Sequence, residues 1–141
     1  MRPLIIIGEQ FYITQSIARV LSGELSCPVH LFRSVDSWKQ SLYTQCLAFV
    51  VVDVSTSLGL FSCCEVVSQL KHLSNDVPII VISDVDASAT VEENFRCGAR
   101  GYISTSTTLH KALEAVRLVL SGGTFAPGGT VLPDHRSNKG N

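Results

Sequence analysis

Asp53 closes the apolar run Phe49-Val50-Val51-Val52, Glu9 comes just after Leu4 to Ile7, and Ser83 comes directly after Val77 to Ile82. A carboxylate can act as a nucleophile and accept a phosphoryl group. Magnesium takes oxygen ligands, retains waters and often uses only one or two carboxylates. Two acids and a hydroxyl can therefore form a magnesium and phosphoryl site, provided the fold gathers residues that lie far apart in the chain. Ser104-Thr105-Ser106, after Gly101 to Ile103, adds a fourth polar cluster in an equivalent position. Acidic and hydroxyl residues also cap helices and meet water after strands in any such fold, and Glu9 or Ser83 taken singly reads equally well that way. Asp53 carries more weight, because an Asp ending the strand Phe49-Val50-Val51-Val52 lies at the middle of the sheet edge.

The elements that must position these residues alternate along the chain. Leu4 to Ile7, Val29 to Phe32, Ala48 to Val52, Val77 to Ile82 and Gly101 to Ile103 are short apolar runs, rich in β-branched residues, and read as five strands. Five helices fall between and after them. Ile13, Ile17 and Leu21 mark the first, Val35 to Tyr43 spans the second, and Leu60, Cys64, Val67 and Leu70 mark the third. Ala87 to Cys97 spans the fourth, and Leu109, Leu113, Val116 and Leu120 mark the fifth. Thr56 or Ser57 is expected to cap the third helix, Gly98 to stop the fourth and Ser121-Gly122-Gly123 to close the fifth. Strict β–α alternation predicts an α/β fold with a doubly wound parallel sheet covered on both faces. In strand order 2-1-3-4-5 the first, third and fourth strands are neighbours, and Glu9, Asp53 and Ser83 meet at the carboxyl edge where ligands of such sheets bind.

Composition narrows the alternatives. The 141 residues suit one domain, here residues 1–123, followed by a Gly-, Pro- and polar-rich linker or disordered tail at 124–141. Hydrophobic residues make up 45% of the chain and charged residues 16%, which excludes intrinsic disorder. No apolar run approaches the ~18 residues of a membrane span, so a cytoplasmic protein with no membrane partner is expected. With net charge −1 and scattered Lys and Arg, the chain carries no electrostatic footprint for nucleic acid. Cys27, Cys46, Cys63, Cys64 and Cys97 lack CxxC spacing and lie among apolar residues, predicting buried reduced thiols in preference to a metal or redox site. His30, His72, His110 and His135 share no ligand spacing.

Gly98-Ala99-Arg100-Gly101-Tyr102-Ile103, Val77-Pro78-Ile79-Ile80-Val81-Ile82-Ser83 and Phe49-Val50-Val51-Val52-Asp53 together resemble the receiver domains of bacterial two-component systems. The likeness is greatest to receivers that head LuxR/NarL-type response regulators, and it covers residues 3 to about 127. It implies the flavodoxin-like receiver fold, with Asp53 as phosphoacceptor, Ser83 as the hydroxyl contacting the phosphoryl group and Tyr102 as the aromatic that rotates on activation. It also implies a magnesium site made by Glu9, Asp53 and the backbone carbonyl of Ser55. Three departures stand out. The adjacent acid pair of the family reads Gly8-Glu9, its Met-Pro after the phosphoacceptor reads Thr56-Ser57, and its lysine beyond the fifth strand is Thr105. Magnesium binding should be weakened by the loss at Gly8, and phosphorylation should couple poorly without a cation at Thr105. Asp84 brings further negative charge where the family has a small residue.

The function this implies is not an enzyme's. It is an atypical phosphorelay receiver that regulates output through homodimerisation or partner binding. A histidine kinase or other phosphodonor would act on it, and it would reach DNA only through a C-terminal domain absent from this sequence. A flavodoxin-like small-molecule binder or enzyme is the competing class, and a phosphorylation-independent dimerisation module is a third. Gly8-Glu9-Gln10-Phe11 lacks the Gly-rich loop the second class would need.

Overall fold

A computed structural model describes residues 2–54 and 63–128. Within them five strands, β1 (Leu4–Ile7), β2 (Val29–Phe32), β3 (Ala48–Asp53), β4 (Ile79–Ser83) and β5 (Gly101–Ser104), alternate with five helices. The helices are α1 (Phe11–Leu25), α2 (Val35–Lys39), α3 (Cys63–Leu73), α4 (Ser88–Cys97) and α5 (Leu109–Leu120). The strands form a parallel sheet of order β2-β1-β3-β4-β5, as the alternation predicts.

Strand residues alternate between two cores, because successive side chains point to opposite faces. Ile5, Ile7, Phe49, Val51, Ile79, Val81 and Tyr102 pack with residues of α2, α3 and α4. Leu4, Ile6, Ala48, Val50, Val52, Ile80 and Ile103 pack with residues of α1 and α5. Burial on both faces explains why the strands read as continuous apolar runs. Gly98 ends α4 at φ +126, a backbone conformation that side chains disfavour.

Several elements differ from expectation. The fourth strand begins at Ile79 rather than Val77, because Val77 donates back to the Ser74 carbonyl in a turn and Pro78 has no N–H to give a ladder. The second helix stops at Lys39, where Gln40 and Ser41 close its last turn onto the Asp36 and Trp38 carbonyls. Along α3 the core side is Cys63, Val67 and Leu70, with Cys64 turned partly outward. Along α5 it is Leu113, Ala115, Val116 and Val119, with Leu109 exposed. Leu60 and the caps expected at Thr56 or Ser57 lie outside the described residues. Past Gly123, Phe125 pairs with the edge of β5, its carbonyl accepting from Tyr102 N at 2.9 Å. The remainder of the expected tail, 129–141, is not among the described residues. No helix among them is long and apolar enough to cross a membrane.

Candidate functional site

Strand register gathers the residues that the sequence left far apart. Asp53 stands beside Ser83 in the β3–β4 ladder, and Ser83 beside Ser104 in the β4–β5 ladder. Counting on from the Ile7–Val51 pair sets Glu9 level with Asp53 at the same edge. Asp53 is half-buried and Glu9 exposed, whereas Ser83 is buried. The Ser83 hydroxyl accepts from Val85 N at 3.0 Å and also interacts with the Tyr102 hydroxyl. Tyr102 is buried, and its hydroxyl donates to the Val85 carbonyl, so the aromatic points inward and holds the turn that follows β4. Thr105 is exposed, and its N–H donates to the Ser83 carbonyl at 3.0 Å. Ser55 lies outside the described residues.

The edge is rich in negative charge. Burial, then Asp84 and then Glu9, push the Asp53 carboxyl above its ordinary value. Burial and neighbouring negative charge both disfavour the charged form of a carboxyl group. A cation beside Asp53 would offset the negative charge that Asp84 and Glu9 place on it, although among the described residues these three carboxylates do not form a metal-sized cluster. The missing acid at Gly8 has a steric side as well. A Cβ built on Gly8 would lie 2.7 Å from Thr14 Cγ2 and 3.1 Å from both Val52 Cβ and the Val52 carbonyl oxygen. The space for an acid is therefore occupied by Thr14, which is buried and bonded through its hydroxyl to the Gln10 and Phe11 carbonyls.

Three features have no counterpart in the sequence reading. Asp53 opens into a cleft of about 450 Å³ between α3 and α4, lined also by Cys63, Cys64, Ala89, Thr90, Glu93 and Asn94. Asn94 is buried and its amide donates to the Thr90 carbonyl at 2.9 Å, while its Oδ1 has no hydrogen-bond partner among the described residues. Cys64 and Cys97 form a disulfide, correcting the expectation of five reduced thiols. The expectation went astray because the two residues are 33 positions apart on separate helices, and only the packing of α3 on α4 joins them. Cys27, Cys46 and Cys63 are free and buried, as expected.

No protein-family model matches the chain, and no curated protein does. Solved structures do. A LuxR family DNA-binding response regulator from Silicibacter pomeroyi superposes with a TM-score of 0.75 at 18% identity, covering 91% of this chain and 98% of that one. The isolated REC domain of RcsB from Salmonella enterica serovar Typhimurium, determined in the presence of phosphomimetic BeF3−, gives 0.72 at 13% identity, covering 90% and 94%. A Burkholderia pseudomallei response regulator with a phosphorylated aspartic acid, calcium ion and citrate gives 0.65 at 19%, covering 86% and 69%. With the strand order and helix placement above, these likenesses give the chain the fold of a response-regulator receiver domain, LuxR-type receivers among those it resembles.

Proposed function

We propose that this chain is an atypical receiver module of two-component phosphorelay signalling, with Asp53 as its phosphoacceptor and dimerisation or partner binding as its output. The observation that carries this is the position of Asp53. It is half-buried at the carboxyl end of the central strand β3, beside Ser83 and under the influence of Glu9 and Asp84, in a receiver fold.

In the reaction an Asp53 carboxylate oxygen attacks the phosphorus of a phosphodonor such as a phosphohistidine. The new bond is an acyl phosphate O–P bond, and the donor's P–N bond breaks. Ser83 would donate its hydroxyl hydrogen to a phosphoryl oxygen, which its bond from Val85 N leaves it able to do. Glu9 and Asp53, with the Ser55 carbonyl, would hold magnesium, which supplies positive charge against the phosphoryl oxygens. One acid fewer at Gly8 makes that site weaker than a receiver's usual one. Thr105 offers a neutral hydroxyl where a cation would pair with the phosphoryl group, so the phosphorylated state gains less from closing onto it. Tyr102, inward and bonded to the Val85 carbonyl, is the switch residue of this reading. As part of a LuxR-type regulator the module would act on transcription through a separate DNA-binding domain, with a histidine kinase upstream and a cytoplasmic setting.

Incubating the protein with acetyl phosphate and magnesium, followed by intact mass and peptide mapping, tests the reading. One phosphoryl group on Asp53, absent from Asp53→Ala, is the expected result. No adduct with acetyl phosphate and no BeF3− binding by calorimetry would overturn it.

A further inference from the structure

Two walls bound the Asp53 cleft, Cys63 and Cys64 on α3 and Ala89, Thr90, Glu93 and Asn94 on α4. One covalent bond crosses between these helices. Cys64 and Cys97 are paired with their Cα atoms 6.1 Å apart, inside the usual disulfide range of about 4.4 to 6.8 Å. Both are only partly buried and are reachable by a small thiol or disulfide. Cys63, next in sequence, is different. It is buried against Val67 and Leu70, and burial, helped by the Asp53 charge, pushes its thiol up to about 12. Cys27 and Cys46 are buried as well and, like Cys63, stay unpaired. Reactivity therefore concentrates on one pair, at the rim of the cleft that holds Asp53.

We propose that Cys64 and Cys97 are a reversible redox site whose disulfide clamps α3 to α4 and thereby restricts phosphoryl transfer to Asp53. The regulatory part rests on the phosphoacceptor reading of Asp53, whereas the clamp itself does not. The oxidant is a disulfide, small or protein-borne. The thiolate of one cysteine attacks it to give a mixed disulfide and release one thiol, and the second cysteine then displaces the other thiol. The chain loses two electrons and two protons, and the oxidant becomes two thiols. A reducing dithiol reverses both steps. In a reducing compartment the pair would stand open and close on oxidative challenge. With the bond formed, the α4 wall cannot part from α3 to admit a phosphodonor. With it broken, α4 is held to α3 by packing alone.

The same atoms suggest a rival. The ligand atoms of Cys64, Glu93 and Cys97 lie within 4.8 Å of one another, and the Cys64 sulfur is 3.9 Å from Glu93 Oε1. Reduced, such a set could instead take zinc.

The test equilibrates the 141-residue protein in glutathione buffers of graded oxidised-to-reduced ratio and traps free thiols by alkylation for mass mapping. Hydrogen exchange of α3 and α4 is read in the same samples, along with zinc content and labelling by acetyl phosphate. Cys64 and Cys97 should oxidise together in one two-electron step with Cys63 unchanged, and α4 should exchange faster when the pair is reduced. Reduced protein should be labelled about fivefold faster or more, the low end of ordinary coupling between sites. Cys64→Ser should show the fast rate in every buffer. A pair that never oxidises, that holds stoichiometric zinc, or whose oxidation leaves α4 exchange unchanged overturns the clamp, and equal labelling rates overturn its regulatory effect. No labelling in either state, with α4 exchange still responding, would support the clamp and sink the phosphoacceptor reading instead.

Discussion

On the proposed reading Gly8 would limit the Asp53 site by lacking a carboxylate, and Thr14 and Val52 leave no room for one there. Gly8→Asp alone should therefore destabilise the protein by about 1–3 kcal/mol, the usual cost of overpacking. Adding Thr14→Ser removes the crowding methyl while keeping the hydroxyl that bonds the Gln10 carbonyl. The double variant should melt nearer the wild type and bind magnesium more tightly than it, measured by calorimetry and thermal melts. Asp53 gives a second prediction, from its raised carboxyl. The folded protein holds that proton more firmly than the unfolded chain does. The resulting stability is complete only below the unfolded carboxylate range and is lost as pH rises through the raised folded value. Asp53→Asn should then melt higher than wild type near neutrality, with the difference vanishing at about pH 3, where an ordinary carboxylate is also protonated. Saturating magnesium should narrow the gap near neutrality. That Asp53, Glu9 and Ser83 come to one sheet edge was legible, because each follows an apolar run that ends there. Thr14 and Asn94 were not, since one polar residue within a helix carries no sign of whether it faces water or a cleft.

Among the elements, the strands were the most legible part, because double-sided burial demands uninterrupted β-branched runs such as Phe49 to Val52. Helix faces were harder. The spacing along α3 put Cys64 on the core face with Val67 and Leu70, whereas its packing on the sheet buries Cys63 there instead. That same rotation turns Cys64 toward α4 and makes the disulfide with Cys97, which no spacing rule in the chain announces. The bond also bears on stability. Closing a loop across a sequence separation of 33 removes unfolded-state entropy worth about 3.7 kcal/mol. Reduction should accordingly lower Tm by on the order of 10 °C for a chain of this size. Cys64→Ser should melt like the reduced protein, and added reductant should not move it further. A melt of the wild type that ignores reductant would show that the bond adds nothing to the helix packing already present.

At the scale of the whole molecule, strand register and two hydrogen bonds join Asp53 to Tyr102, the switch residue of the proposed reading. Asp53 is registered with Ser83, the Ser83 hydroxyl takes Val85 N, and Tyr102 holds the Val85 carbonyl. A phosphoryl group that draws on the Ser83 hydroxyl would disturb the turn to which Tyr102 is bonded, and so can be felt on the far side of β4. A cation on β5 would pull from the other side, but the position is an exposed Thr105, already tied to β4 through its N–H on the Ser83 carbonyl. On the phosphoacceptor reading, half of a two-sided grip on the phosphoryl group would then be missing. Coupling between sites is a free-energy difference, and a hydrogen bond to a charged group contributes about 1.5–3 kcal/mol. Because position 105 is open to solvent, the lower value is the appropriate one. Thr105→Lys should thus strengthen BeF3− binding in the presence of magnesium by roughly tenfold, and enlarge by a similar factor any change in self-association that BeF3− causes. Calorimetry and sedimentation velocity on the two proteins measure the two effects separately. If binding tightens while self-association stays fixed, the path through Ser83, Val85 and Tyr102 does not govern self-association, and on the proposed reading output would leave the domain by another face.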